Sequence, residues 1–480
     1  MRKSLIALAL LLALAAGGAA SAAVLLGRQA GRVTMTEHVL YGDAGAADGL
    51  LVEVKACCER HLHWDTQYWV GAPERTETRF RYTQEAESIP QETEYSGVSV
   101  DNMGELWGSS WSTSSTGDLA DRDLYGVMRP YLDVAGRTQP GTEHTETVYW
   151  KDYYEFYPIY VSVDLPGFHY SPEKFNRTGW ETELERQLRE TFDAFFRVPV
   201  LEDDALEITV RRNSQGDIVG SGMSGGNAIN SVGTVAEGAC YFTVDLHQND
   251  QLLDTSRIPG GYGLYRLPYS MKEGSAVVRP EELAMVYPLE PENELIELKA
   301  TADGKRVLLL TREQGVYWLT VLDGATAEQL QRLELTHIPE DSGVSLQIYD
   351  GFLVSLEGGE RFTVLEERAD GTYRQALAAA WPEDERFREQ MLWIVPVMDW
   401  DGERLAAAFY PYHSEWRNGE YAPYKQVCGF YLCVWDGGGL RYVGRYDSSL
   451  DAPPGPMGQG YYSDWCEPVN GEGPELHWTS

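Results

Sequence analysis

The segment His61-Leu62-His63-Trp64-Asp65 places two imidazoles and a carboxylate at alternate positions. On a β-strand these three side chains share one face, where they could converge on a metal ion such as zinc. Cys57 and Cys58 lie just upstream, but adjacent residues point to opposite faces of a strand. Any remaining ligand would have to come from scattered positions such as His144 or His169, because the chain has only nine histidines. Gly222-Met223-Ser224-Gly225-Gly226 has the G-x-S-x-G spacing that can hold a nucleophilic serine. That chemistry needs a buried strand leading in and a helix leading out. Here the approach is only Ile218-Val219-Gly220, and residues 227–232 do not read as a helix. Asp399-Trp400-Asp401-Gly402-Glu403 contains half of a calcium loop, which a hairpin turn explains with fewer assumptions. No catalytic or cofactor-binding residue is therefore assigned. The metal candidates are His61, His63 and Asp65, set against a simpler reading as ordinary strand residues.

The His61-x-His63-x-Asp65 spacing resembles the metal-binding motif of the metallo-β-lactamase fold, where a further histidine follows the aspartate. Thr66 stands at that position here, and no glycine-rich αββα pattern surrounds it. Sugar hydrolysis is the other chemistry to weigh, since it needs two carboxylates flanking the scissile bond. The chain has 74 acidic side chains and aromatic groups that could stack on sugar rings, Trp107, Trp111 and the run from Tyr149 to Tyr157. Nothing in the sequence singles out a pair of carboxylates.

Charge and length limit the alternatives. The chain has 480 residues, 39 basic against 74 acidic side chains, and a net charge of −35. Such a surplus repels phosphate backbones and anionic lipid, which excludes nucleic acid as an expected partner. At 43 % hydrophobic the chain can bury a large core. Arg2 and Lys3 precede an unbroken apolar run over 5–16, and Ala20-Ser21-Ala22 has the small-x-small form of a cleavage site. Residues 4–27 are also uncharged throughout, long enough to span a bilayer. Residues 1–32 are thus read as a signal peptide or a single-pass anchor, and the protein as exported.

The elements that would carry any site show best in the last third. Strand-like runs at 295–300, 306–311, 316–322 and 331–335 are separated by turns that include Asp303-Gly304 and Asp323-Gly324. The grammar recurs around Asp350-Gly351 and Asp370-Gly371, and again around Asp401-Gly402 and Asp436-Gly437. The first turns of each unit, at 303, 350 and 401, step by 47 and 51 residues. A four-stranded unit with that period is the sequence form of a propeller blade. Lys299 to Leu310 and Gly315 to Gly324 resemble a blade of the WD40-like or quinoprotein-like β-propeller proteins of the bacterial cell surface, mainly over 295–446. Blade-opening Gly-His pairs are missing, and Trp-Asp ends a strand cleanly only at Trp435-Asp436. The resemblance implies an architecture and transfers no site residue.

Upstream, Tyr157–Leu165 and Cys240–Leu246 are similar strands set too far apart for plain blades. Thr182-Glu183-Leu184-Glu185 forms a capping box, and Trp180, Leu184, Leu188, Phe192 and Phe195 recur at helical spacing until Val198-Pro199. The expectation is an all-β chain of propeller-like four-stranded units, about six to eight blades with some degenerate. It carries one amphipathic helix near 180–197 and the N-terminal hydrophobic helix. The propeller-like domain covers 33–450, or alternatively splits near 200 into two β domains, and 451–480 is a Pro/Gly-rich acidic tail. Propellers bring their termini together, so a disulfide from Cys57 or Cys58 to Cys466 would act as a clasp. The expected function is a non-enzymatic binding module, monomeric and without a cofactor, that engages a protein, peptide or glycan. It would sit on the outer membrane face or be secreted, and would touch the membrane through its N-terminal helix if that is uncleaved. The alternative is an extracellular hydrolase of glycosidase or esterase type.

Overall fold

The computed structural model describes residues 11–18, 20–21, 24, 33–58, 61–83, 97–101, 129–171, 182–226, 233–244, 247–248, 251–337, 343–383, 395–410, 412–417, 420–425, 429–449, 467–468 and 473–479. Strands dominate. Among the described residues two antiparallel sheets have four strands and three have five. The most regular runs Glu294–Ala300, Arg306–Glu313, Val316–Asp323 and Gln329–His337, each paired with the next in chain order. Val344–Tyr349, Phe352–Glu357, Arg361–Glu367 and Tyr373–Ala380 repeat that meander. Val397–Trp400, Leu405–Phe409, Phe430–Asp436 and Gly439–Ser448 repeat it again, with Met35–Gly42 added at the outer edge. Propeller-like four-stranded units are thus the fold of this chain, and their hairpins fall at the expected Asp-Gly pairs.

Contacts divide the chain into two compact units. The first comprises Met1–Thr93, Gln347–Arg368 and Tyr373–Ser480, and the second Glu94–Leu346 and Ala369–Thr372. In the first unit, Leu405–Phe409 reads Leu-Ala-Ala-Ala-Phe with every residue buried. A strand loses its polar alternation when both faces of its sheet are covered. One face here packs Ala406, Ala408 and Phe430 against Val52, Val54 and Tyr68. The opposite face packs Ala407, Phe409 and Trp435 against Phe352, Val354 and Phe362. Face-to-face stacking of small sheets is how blades bury their apolar surface.

A further sheet of this unit unites the two ends of the chain. Leu50–Cys58, Leu62–Trp69 and Glu77–Tyr82 form a meander whose remaining edge is taken by C-terminal segments. Glu475–Trp478 pairs with Leu50 to Glu53, and Glu467–Pro468 pairs with Ala56 and Cys57. Residues 475–478, placed in an acidic tail by sequence, are the strand that completes this sheet. Their alternation explains it, because Leu476 is buried in the apolar cluster while Glu475 and His477 lie on the other face.

In the second unit Gly233–Ala236, Ala239–Phe242, Gly263–Lys272 and Ala284–Pro288 form a blade, with Ser275–Val278 on the far end of its long strand. Two three-stranded sheets precede it in sequence. One is Gly97–Asp101, Tyr160–Leu165 and Phe168–Tyr170, and the other Glu143–Tyr149, Ala205–Arg212 and Ile218–Gly225. The expected amphipathic helix is Glu183–Phe195. The Thr182 hydroxyl accepts from the Glu185 amide, and the Glu185 carboxylate accepts from the Thr182 amide, closing the capping box. Leu188, Phe192 and Phe195 enter the core. A second helix, Arg129–Arg137, was not anticipated and buries Tyr131, Val134 and Ala135. Near the N-terminus, residues 11–18 are helical, with Leu11, Leu12 and Leu14 62–73 % exposed. Among the described residues no helix is long and apolar enough to cross a membrane.

Candidate functional site

The sheet that joins the chain ends has one apolar face and one charged face. Val52, Val54 and Ala56 point into the core, so Glu53 and Lys55 point the other way. Strand register then sets Glu475, Glu53, Gln67 and Glu77 in one row, and Lys55, Asp65 and Arg79 in the next. The Lys55 ammonium donates to both Glu475 oxygens at 2.7 and 2.8 Å and lies 3.9 Å from Glu53. Gln67 donates to Glu53 at 2.8 Å, and Arg79 donates to Glu77 at 3.0 Å. That last bond raises the Arg79 pKa further above its ordinary value. A concavity of about 160 Å³ opens over these side chains. Lys55 pairs with Glu53 and Glu475, and Arg79 with Glu77, contacts that help hold the Glu475–Trp478 strand in place.

His61, His63 and Asp65 do not converge. His61 precedes its strand, its Nδ1 lies 3.0 Å from the Thr83 carbonyl, and its ring stacks on Tyr82. His63 is buried opposite Cys57 and Arg81, whereas Asp65 occupies the row between Lys55 and Arg79. Among the described residues, Glu53, Glu475 and His477 are the group whose potential ligand atoms all lie within 4.8 Å of one another. Sequence reasoning missed it because His477 and Glu475 join Glu53 only through pairing across more than 400 residues. The disulfide expectation falls partly outside the described residues. Cys466 and the Cys58 side chain are not among them, while Cys57 is buried and its backbone pairs with Glu467.

The other patterns resolve into structural roles. Ser224 lies within the strand Ile218–Gly225, opposite Glu207, so no strained strand-to-helix turn presents it. Asp401 accepts the Glu403 and Arg404 amides and pairs with the Arg404 side chain, which is hairpin capping. Asp399 accepts the Trp478 amide at 2.7 Å. In the aromatic run, Trp150 and Tyr157 are buried and Tyr149 is exposed, so the run is mainly core. Trp107 and Trp111 lie outside the described residues.

A larger cleft, about 540 Å³, lies in the first unit beside Met35–Gly42. Tyr41, Asp43, Arg404, Asp436 and Arg441 supply its polar lining. Arg404 is committed to structure: it donates to the Ala46 and Asp48 carbonyls and its guanidinium lies 3.9 Å over the Trp478 ring. Arg441 pairs with Asp436 at 3.0 Å and remains about half exposed. Tyr41 is 56 % exposed. Met35–Gly42 pairs with Gly439–Ser448 on one side and forms the edge of its sheet. The cleft thus runs across three paired strands of that sheet, starting from its edge strand, and combines an exposed phenol with a guanidinium–carboxylate pair.

The sequence matches no family model and no curated protein. Among solved structures, the chain is similar to the periplasmic gluconolactonase PpgL of Pseudomonas aeruginosa at 10 % identity and a TM-score of 0.29, over 83 % of this chain and 96 % of that one. It is similar to TolB from Acinetobacter baumannii at 10 % identity and a TM-score of 0.23, over 84 % and 80 %. The Cps50 (Swd1) β-propeller domain of Myceliophteria thermophila matches at 11 % identity and 0.23, over 52 % and 84 %. The propeller-like assignment rests on the sheets described above and not on these likenesses.

Proposed function

We propose that this protein is an exported binding module that takes a protein or peptide ligand, with a glycan as the alternative, and performs no catalysis. The cleft beside Met35–Gly42 carries the reading. A sheet edge offers a row of backbone donors and acceptors to an extended chain, and adjacent side chains can then select among partners. Tyr41 and the half-exposed Arg441 have the chemistry found at interface anchors. Export is supported by the Arg2-Lys3 start and the apolar run that follows, which includes the exposed helical Leu11, Leu12 and Leu14. Residues 1–32 would either tether the protein to the outer membrane face or be removed on secretion, and the propeller-like part would work as a monomer.

The test is a peptide array and an immobilised extracellular protein panel probed with the purified full chain. Arg441→Glu and Tyr41→Ala should each weaken a captured ligand by about tenfold while leaving the unfolding midpoint near wild type. Ligands held equally by both variants would place recognition elsewhere. Turnover of glycoside or ester substrates by the purified chain, above that of a heat-inactivated control, would replace this reading with the hydrolase.

A further inference from the structure

The strand Met35–Gly42 offers an unpaired backbone edge. It is the outermost of its five-stranded sheet, and no described strand lies on its far side. The opposite edge strand, Val397–Trp400, is covered, because Asp399 accepts the Trp478 amide on its carboxylate and the Trp478 indole on its carbonyl. Register fixes which groups of Met35–Gly42 are open. Thr34 accepts from the Ser449 amide, so in an antiparallel ladder Thr36 and His38 also bond inward. Met35, Glu37 and Val39 then turn their N–H and C=O groups outward. The ladder is regular as far as Val39 and shifts register before Tyr41. Val39, Leu40 and Tyr41 are 53, 39 and 56 % exposed, and Tyr41 lines the cleft.

An open strand edge is a template for another chain, and proteins usually guard it with lysine, proline or a covering segment. Met35–Gly42 contains neither lysine nor proline, and among the described residues no segment covers it. Its one irregularity follows the regular stretch instead of interrupting it. Charge selects the occupant. Two copies of this chain, each at −35, repel one another. The neighbouring guanidiniums of Arg441 and Arg445 are taken by Asp436 and Asp447, and His38 also lies 3.0 Å from Asp447. No free cation therefore waits along this edge for an acidic partner. We infer, on the basis of the binding-module reading, that a basic peptide adds to Met35–Val39 as a sixth strand and passes its end into the cleft at Tyr41. Alternate peptide residues would exchange backbone hydrogen bonds with Met35, Glu37 and Val39, while their lysine or arginine side chains meet the acidic surface.

The probe is a short fluorescent peptide of alternating lysine and valine, read by anisotropy against the purified full chain. One control peptide carries glutamate for lysine. Another is N-methylated throughout, which keeps the charge and removes the backbone donors. The lysine–valine peptide should bind, weaken as sodium chloride rises, and lose about tenfold or more on N-methylation. The glutamate peptide should not bind. Val39→Lys, at a position already exposed, should weaken the complex about tenfold at an unchanged unfolding midpoint. Amide exchange over Met35–Val39 should slow in the complex. Equal binding of the plain and N-methylated peptides would overturn strand addition and leave charge attraction alone. No binding of the lysine–valine peptide would also overturn it, as would a dimer that Val39→Lys returns to monomer in sedimentation. A ligand from the peptide array that Tyr41→Ala and Arg441→Glu weaken, but Val39→Lys does not, would overturn strand addition and leave the binding-module reading standing. Capture of no ligand by either route would remove both.

Discussion

Arg404 bonds Asp401, the Ala46 and Asp48 carbonyls and the Trp478 ring, so one guanidinium ties a hairpin, an N-terminal turn and the C-terminal strand. Arg404→Ala is expected to cost about 2 kcal/mol, read as a lowered urea midpoint. Arg404→Lys should recover little of that loss, since an ammonium lacks the planar fork these partners need. Tyr68 offers a pH readout. Burial first, and the Glu37 charge second, push its hydroxyl up to about 12 from 10.0. A raised folded-state pKa means its contribution is intact below pH 10 and is lost as the pH climbs through about 12. Alkaline titration of tyrosinate absorbance should therefore show this phenol ionising with unfolding, and Tyr68→Phe should reduce the loss of stability in that window. At this scale the sequence was least legible. His61, His63 and Asp65 have strand spacing, but His61 lies before the strand and turns toward Thr83, which spacing alone does not reveal.

Hairpin positions could be read from the sequence, but the turn mechanism could not. Asp303, Asp370 and Asp401 keep ordinary φ and accept backbone amides from two or three residues further along the chain. In two-residue turns between directly paired strand ends, consecutive positive φ values occur at Glu273-Gly274 and Gln314-Gly315. Asp-Gly marks these loops because aspartate caps them and glycine supplies the left-handed residue. Gly42 is a separate case, with φ +75 and an added Cβ only 1.9 Å from the Arg441 carbonyl. Gly42→Ala should cost about 2 kcal/mol and detach Met35–Gly42 from Gly439–Ser448. Faster amide exchange confined to that strand pair would register the change. The C-terminal strand left a signal in the alternating Glu-Leu-His-Trp of 475–478, but its partner lies at the other end of the sequence. Leu476→Asp should destabilise by about 3 kcal/mol, because it buries a charge in the apolar cluster.

Across the whole chain, the acidic surplus sets how stability responds to the medium. A net charge of −35 opposes compaction through self-repulsion, and added electrolyte screens it. The unfolding midpoint should therefore rise between roughly 0.05 and 0.5 M sodium chloride, a range over which the Debye length falls severalfold. A flat or falling response would mean that local ion pairs such as Lys55–Glu475 outweigh the global repulsion.

The sheet begun by Leu50–Cys58 is finished by Glu475–Trp478. Synthesis runs from the first of these segments to the second, so more than 400 further residues are made before that sheet can close. A nascent product that has not reached residue 475 keeps the Leu50–Glu53 edge unzipped, with its backbone donors and acceptors open to other strands. Closure of this sheet thus waits on a segment made long after the rest of it.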